Sequence, residues 1–237
     1  MTLEEYFGDW LRVIDRAELD KVLTLLNRMY RVKPICPAQE NVFKAFNLCK
    51  YHDCKVVFIG QDPYPQKGVA TGILFGNDIS TREDDWSPSL KIVRDSVIDL
   101  HKPHNLIIFD PTLESWAKQG ILMINSALTV EMNKVGSHTM LWRPFISKLL
   151  KKMSEYNTGM IYVLFGSTAR TFKPYIGKYN DVIEIEHPAY FARINQDMPS
   201  DIFYEINKLL KARYNYQINW YKEEKYEQAE TETEKEW

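Results

Sequence analysis

The chain has 237 residues, 45% of them hydrophobic and 26% charged, with a formal net charge of -2. That is enough apolar material for one sizeable core, and no apolar run approaches the ~20 residues a membrane span needs. Three cysteines, Cys36, Cys49 and Cys54, form an odd set without metal-ligand spacing, which argues against a disulfide framework and against a zinc or iron–sulfur site.

The N-terminus, MTLEEYFGDWLRVIDRAEL, is acidic and helix-like, which is not the pattern of a secretory signal peptide. With the free cysteines it fits a reducing, cytoplasmic setting. Leu11, Val13, Ile14, Leu19, Val22, Leu23, Leu25 and Leu26 predict one or two amphipathic helices within residues 2–30. Val42, Phe43, Phe46 and Leu48 predict another within 39–50. Four short apolar runs follow: Lys55–Gly60, Ile121–Asn125, Met160–Gly166 and Asp181–Glu186. They are rich in β-branched and aromatic residues and bounded by Gly, Asn, Pro or charge, as strands are. Helical patterns separate them at Ser89–Leu100, Thr112–Lys118, Pro144–Tyr156 and Ser167–Tyr175, and a last helix runs from about Ser200 to Arg213.

Strands alternating with helices predict an α/β fold with a parallel sheet. The segment 222–237, KEEKYEQAETETEKEW, holds three Lys and seven Glu. Without it the body carries about +2, so the reading is one domain over 1–220 and an acidic tail over 221–237. The tail's composition reads as a disordered or loosely helical appendage.

Each strand runs into a polar signal. The first meets Gln61-Asp62-Pro63-Tyr64-Pro65, the second ends in Asn125-Ser126, the third runs into Gly166-Ser167-Thr168, and the fourth into His187-Pro188. Ligands of open α/β sheets bind beyond the carboxyl ends of the strands, so this edge is the expected site.

Five ordered segments, GQDPYP at 60–65, SPSLK at 87–91, ILMINSALTV at 121–130, FGST at 165–168 and HPAYFAR at 187–193, together resemble the family 1 uracil-DNA glycosylases. The match covers about Pro34 to Lys211. The resemblance implies a central four-stranded parallel sheet flanked by helices in three α/β/α layers. It implies a monomer without metal or cofactor that removes uracil from single- or double-stranded DNA and leaves an abasic site. A proteinaceous inhibitor of the family is a further expected partner.

By resemblance Asp62 is the acid that orients water and offsets positive charge on the sugar, although Asp-Pro alone reads first as an Asx turn. His187 is matched to the donor that stabilises the leaving uracil near O2; an isolated His-Pro is otherwise a strand-end histidine. Asn125 is matched to the amide that pairs with uracil O4 and N3–H; without the family it reads as a turn asparagine. Tyr64, held between Pro63 and Pro65, would exclude the thymine methyl group. Phe75 would stack under the flipped base or simply pack the core. Gln61 and Asp62 offer backbone N–H groups to uracil O2 or to water.

Phe191, in a loop where the family usually has leucine, is the candidate minor-groove wedge, with Tyr190 as the alternative. Ser89, beside Pro88, and Ser167 match serines that grip phosphates, and Ser89 also reads as a helix N-cap. His138, Arg170, Lys91 and Arg193 are further candidate phosphate contacts. The chain has Pro65 where the family usually has histidine, and Ala189 where it usually has serine. The loss of that serine hydroxyl predicts a weaker grip on DNA. Two other readings remain: a binding module on the same fold with weakened catalysis, and a glycosylase of altered C5 preference.

Overall fold

The computed structural model describes residues 2–98, 105–199 and 201–225. Its elements in chain order begin with α1 (Leu3–Phe7), α2 (Arg16–Met29), β1 (Ile35–Cys36), α3 (Lys44–Leu48) and β2 (Val56–Gly60). They continue with α4 (Pro88–Val97), β3 (Asn105–Ile108), α5 (Glu114–Ala117), β4 (Ile121–Asn125), β5 (Val130–Glu131) and α6 (Thr139–Tyr156). The last are β6 (Ile161–Phe165), α7 (Gly166–Arg170), β7 (Asp181–Ile185), α8 (Pro188–Ile194), α9 (Asp201–Tyr214) and β8 (Lys222–Lys225).

Four strands form one parallel sheet in the order β4-β2-β6-β7, flanked by helices, as the sequence predicts. Every residue of β2 and β6 is buried, which is why both read as unbroken apolar runs. The register sets Gly60 beside Asn125 and Phe165 beside Ile185. All four chain exits therefore lie at one edge.

The core is aromatic. Phe58 of β2 meets Phe165 of β6 edge-on, with ring centroids 5.3 Å apart. Trp10, Trp116 and Trp142 are fully buried around the sheet. The indole N–H of Trp10 donates to the Cys49 carbonyl (2.8 Å), and that of Trp116 to the Trp220 carbonyl (2.8 Å). These bonds satisfy the polar ends of rings that otherwise contribute apolar area. The three cysteines are free and buried.

Helix boundaries differ from expectation in three informative places. The helix expected from Pro144 begins at Thr139 and carries Pro144 inside it, because Trp142 and Phe145 belong to the same buried face. The cap of α4 is Ser87, not Ser89: the Ser87 hydroxyl accepts from the Leu90 N–H, and Pro88 takes the first helical position. HPAYFAR is not a loop. His187 is the N-cap of α8, Pro188 is its first residue, and Asn195 ends it in the left-handed conformation.

Residues 222–225, the start of the acidic segment, pair antiparallel with Asn105–Ile108 as a separate two-stranded sheet. Residues 226–237, and the end of the helix expected at Ser89–Leu100, lie outside the described residues.

Candidate active site

One cavity of about 490 Å³ opens at the carboxyl edge of the sheet. Its lining contains Gln61, Asp62, Tyr64, Phe75, Asn125 and His187, together with Ser89 and Arg193. These residues come from five separate segments, and the parallel register brings them together.

The turn after β2 carries the carboxylate. Its carbonyls tie it to the end of β4: Ala127 N–H and Ser126 Oγ–H both donate to the Gln61 carbonyl at 3.0 Å. Thr168 on α7 donates to Gln61 Oε1 at 3.2 Å. Asp62 Oδ2 accepts from the Gly136 N–H and from Gln61 Nε2 (3.4 Å). Asp62 Oδ1 is buried and has no hydrogen-bond partner. Burial raises the Asp62 pKa above the ordinary carboxylate value, and the Gly136 and Gln61 donors only partly offset it.

Asn125 ends β4. Its Oδ1 is likewise buried without a partner. Gly60, its register neighbour, has room for nothing larger: a Cβ there would lie 2.7 Å from Asn125 Oδ1 and 2.4 Å from Leu74 Cδ1. A hydrogen at Gly60 is what lets the amide reach the cavity.

His187 is oriented by its own helix. Its Nδ1 accepts from the Ala189 N–H at 3.1 Å, which places the ring proton on Nε2. Burial lowers its pKa to about 4, so the ring is neutral at physiological pH and donates through Nε2–H. Gly166 supports it from behind: at φ +84°, it stands where a Cβ would come 3.1 Å from the His187 Cβ.

Tyr64 is pinned through its hydroxyl, which donates to the Phe75 carbonyl (3.2 Å) while Ser87 Oγ lies 2.6 Å away. Burial pushes its pKa up to about 12, with Ser87 and Ser89 opposing the rise. Phe75 is buried with a left-handed backbone (φ 64°), a conformation uncommon for a bulky residue. Its ring meets Phe165 edge-on at 5.0 Å and His187 at 5.4 Å.

The remaining candidates occupy the rim. Pro88 is exposed, Ser89 is buried at the second helical position, and Ser167 is exposed on the first turn of α7. Phe191 is half-buried against the core, whereas Tyr190 is 39% exposed; their rings meet edge-on at 5.5 Å. Half-buried Trp86 precedes Ser87, its indole N–H on the Thr81 carbonyl (3.1 Å).

His138 is not available to a phosphate. It is 4% exposed, with Nδ1 on Thr129 Oγ1 at 2.9 Å, and Trp142 Nε1 donates to the same hydroxyl at 2.7 Å. Arg170 pairs with Glu186 at 2.7 Å, and Lys91 donates to the Asp84 carbonyl at 2.6 Å. Sequence reasoning missed Gly60, Ser87, Gly136, Gly166 and Thr168. Ser-Pro at a helix start was a readable signal for Ser87. Nothing local marks Gly136, whose partner lies 74 residues away.

An open parallel sheet with a cavity at the carboxyl ends of its strands, lined by unpaired buried acceptors and a neutral histidine, defines an α/β protein with a polar pocket at that edge. The chain belongs to the uracil DNA glycosylase superfamily, whose family model matches residues 46–211. A curated uracil-DNA glycosylase of Mycoplasmopsis pulmonis is 35% identical over 204 residues, spanning 85% of this chain and 89% of that relative. One from Buchnera aphidicola is 31% identical over 221 residues, spanning 92% and 93%. The solved mimivirus uracil-DNA glycosylase superposes with a TM-score of 0.70 at 22% identity, covering 93% of each chain. A variant of it in complex with UGI gives 0.70 at 24% identity, covering 92% of this chain and 94% of that one.

Proposed function

We propose that this protein is a monofunctional uracil-DNA glycosylase, which hydrolyses the bond between uracil and deoxyribose in DNA and leaves an abasic site. The observation that carries the reading is the pair of buried, unpartnered acceptors, Asp62 Oδ1 and Asn125 Oδ1, in one cavity with the neutral His187. Buried acceptors without partners are costly, and a site keeps them where a ligand supplies the donors.

The nucleotide leaves the stack to enter the cavity. Asn125 accepts from uracil N3–H through Oδ1 and donates to O4 through Nδ2; cytosine presents the reverse pattern. The fixed Tyr64 ring would exclude the C5 methyl group of thymine. As the C1′–N1 bond breaks, its electron pair leaves with the base, and negative charge gathers near O2. His187 Nε2–H donates there without needing to titrate. The Asp62 carboxylate offsets the positive charge on the sugar. Water adds its oxygen to C1′ and gives a proton to Asp62, whose raised pKa suits it to accept one. Tyr190 and Phe191 together fill the gap in the duplex, with Tyr190 the more exposed ring. A protein inhibitor would cover this same edge.

The test uses a labelled single-stranded oligonucleotide with one uracil, a matched thymine control, and no added metal. Alkali-dependent cleavage at uracil only is expected, reduced ~10² or more in Asp62→Asn. Folded wild type that cleaves neither strand sinks the reading.

A further inference from the structure

Beside the catalytic cavity lies a second groove of about 570 Å³, and Ala70 and Thr71 line both. It continues outward from the site already described. Its floor includes β1, paired with β5, and the Cys36 thiol faces the Pro65 carbonyl (3.7 Å) and the Gln66 carbonyl (3.5 Å). The turn that presents Asp62 to the cavity is thus also anchored to the groove.

The groove is basic. Lys33, Lys44 and Lys67 line it. Lys33 pairs with Glu131 at 2.9 Å, but Glu131 also takes Lys134. Lys44 pairs with Glu114 at 2.8 Å, but Glu114 also takes Lys118 at 3.3 Å. Each carboxylate is therefore shared by two ammonium groups and leaves one positive charge over. Lys67 is exposed, five residues after Asp62, with no carboxylate partner among the described residues. Among the described residues one carboxylate lines the groove, Asp78, which accepts from the Ser80 N–H (2.9 Å) and hydroxyl (2.6 Å) and feels the Lys44 charge, so the remaining positive excess lies with Lys67 and the Lys33 cluster. Gly68 leaves the surface open beside Lys67, since a Cβ there would meet nothing within 4 Å.

A strand whose nucleotide is turned into the cavity must lead its backbone away over the rim. We propose that this groove is a phosphate-binding subsite for the DNA strand on one side of the extruded nucleotide, with Lys67 as its principal contact and Lys33 contributing field. The inference rests on the glycosylase reading. It adds a strand path that Ser89, Ser167 and the α8 rings do not provide.

The test compares three single-stranded oligonucleotides: uracil flanked on its 5′ side only, on its 3′ side only, and on both. Wild type, Lys67→Glu and Lys67→Arg are assayed for excision. The same Lys67 changes are placed in Asp62→Asn protein, and Kd for the doubly flanked strand is measured from 50 to 200 mM salt. For one flank only, Lys67→Glu is expected to raise KM about fivefold, with kcat unchanged and Lys67→Arg near wild type. The slope of log Kd against log salt should become shallower by about 0.7, because one phosphate is no longer neutralised. Equal KM increases on both flanks, or an unchanged salt slope, would overturn the subsite. If wild type excises nothing, the glycosylase reading fails, and the salt slope still decides whether Lys67 holds a strand.

Discussion

Asp62 keeps one oxygen on the Gly136 amide and leaves the other buried and unpartnered. The role proposed for Asp62 needs the carboxylate, yet burial disfavours that form. The rate should therefore fall as pH drops through a value above the ordinary carboxylate range. His187, with a pKa of about 4, contributes no titration between pH 5 and 8. A pH–rate profile of kcat/KM should then carry an acid limb from Asp62, set above the ordinary carboxylate value, and that limb should be lost in Asp62→Asn. The same shift bears on stability with the opposite sense to a salt-bridged acid. The folded state binds this proton more tightly than the unfolded chain, so stability falls as pH rises through the raised pKa. Asp62→Asn should melt at or above the wild-type temperature at pH 7, with the gap closing in acid. A Tm clearly below wild type at pH 7 would show that the Gly136 bond outweighs the burial cost.

At the level of elements, the register of β2 against β4 decides the site. Gly60→Ala would push a methyl group into Asn125 Oδ1. Excision should drop by about 10- to 100-fold, the effect of one misplaced buried hydrogen bond. The fold should survive, because the other close atom, Leu74 Cδ1, is the end of a flexible side chain. Steady-state kinetics with a melting curve separates the two effects. β2, β4 and β6 were legible because burial writes a continuous apolar run, whereas β7, a partly buried edge strand, was legible from its β-branched residues; each of the four ends within a residue of its expected bound. Asn105–Ile108 was not legible: its burial alternates, and its partner lies over a hundred residues on in a charged segment. His187 reads as a loop histidine because its Nδ1 replaces the usual cap oxygen of Ser, Thr, Asp or Asn. The identities of Asp62, Asn125, His187 and Tyr64 were available from motif order. Their supports were not, since Gly136 and Gly166 act through backbone placement that no side chain announces.

Across the molecule, β3 and β8 form a two-stranded sheet separate from the four-stranded one. Truncation after Tyr221 removes the partner of Asn105–Ile108 and exposes Leu106 and Ile108 further. A loss of about 1 kcal/mol, or a Tm lower by about 2–4 °C, is expected, with excision kinetics unchanged. A fall in excision alongside the melting shift would tie the segment to the site. Trp10, Trp116 and Trp142 are sealed in the core and Trp220 is 9% exposed, while Trp86 is half-buried, its ring 6.0 Å from that of Phe109 and 5.7 Å from the Arg94 guanidinium. Among the described tryptophans Trp86 is the one most open to iodide, and it lies one residue before the Ser87-Pro88-Ser89 start of α4. Uracil-bearing DNA should shield that indole and plain buffer should not. The protein thus carries its own optical gauge of engagement, readable without a label on either partner.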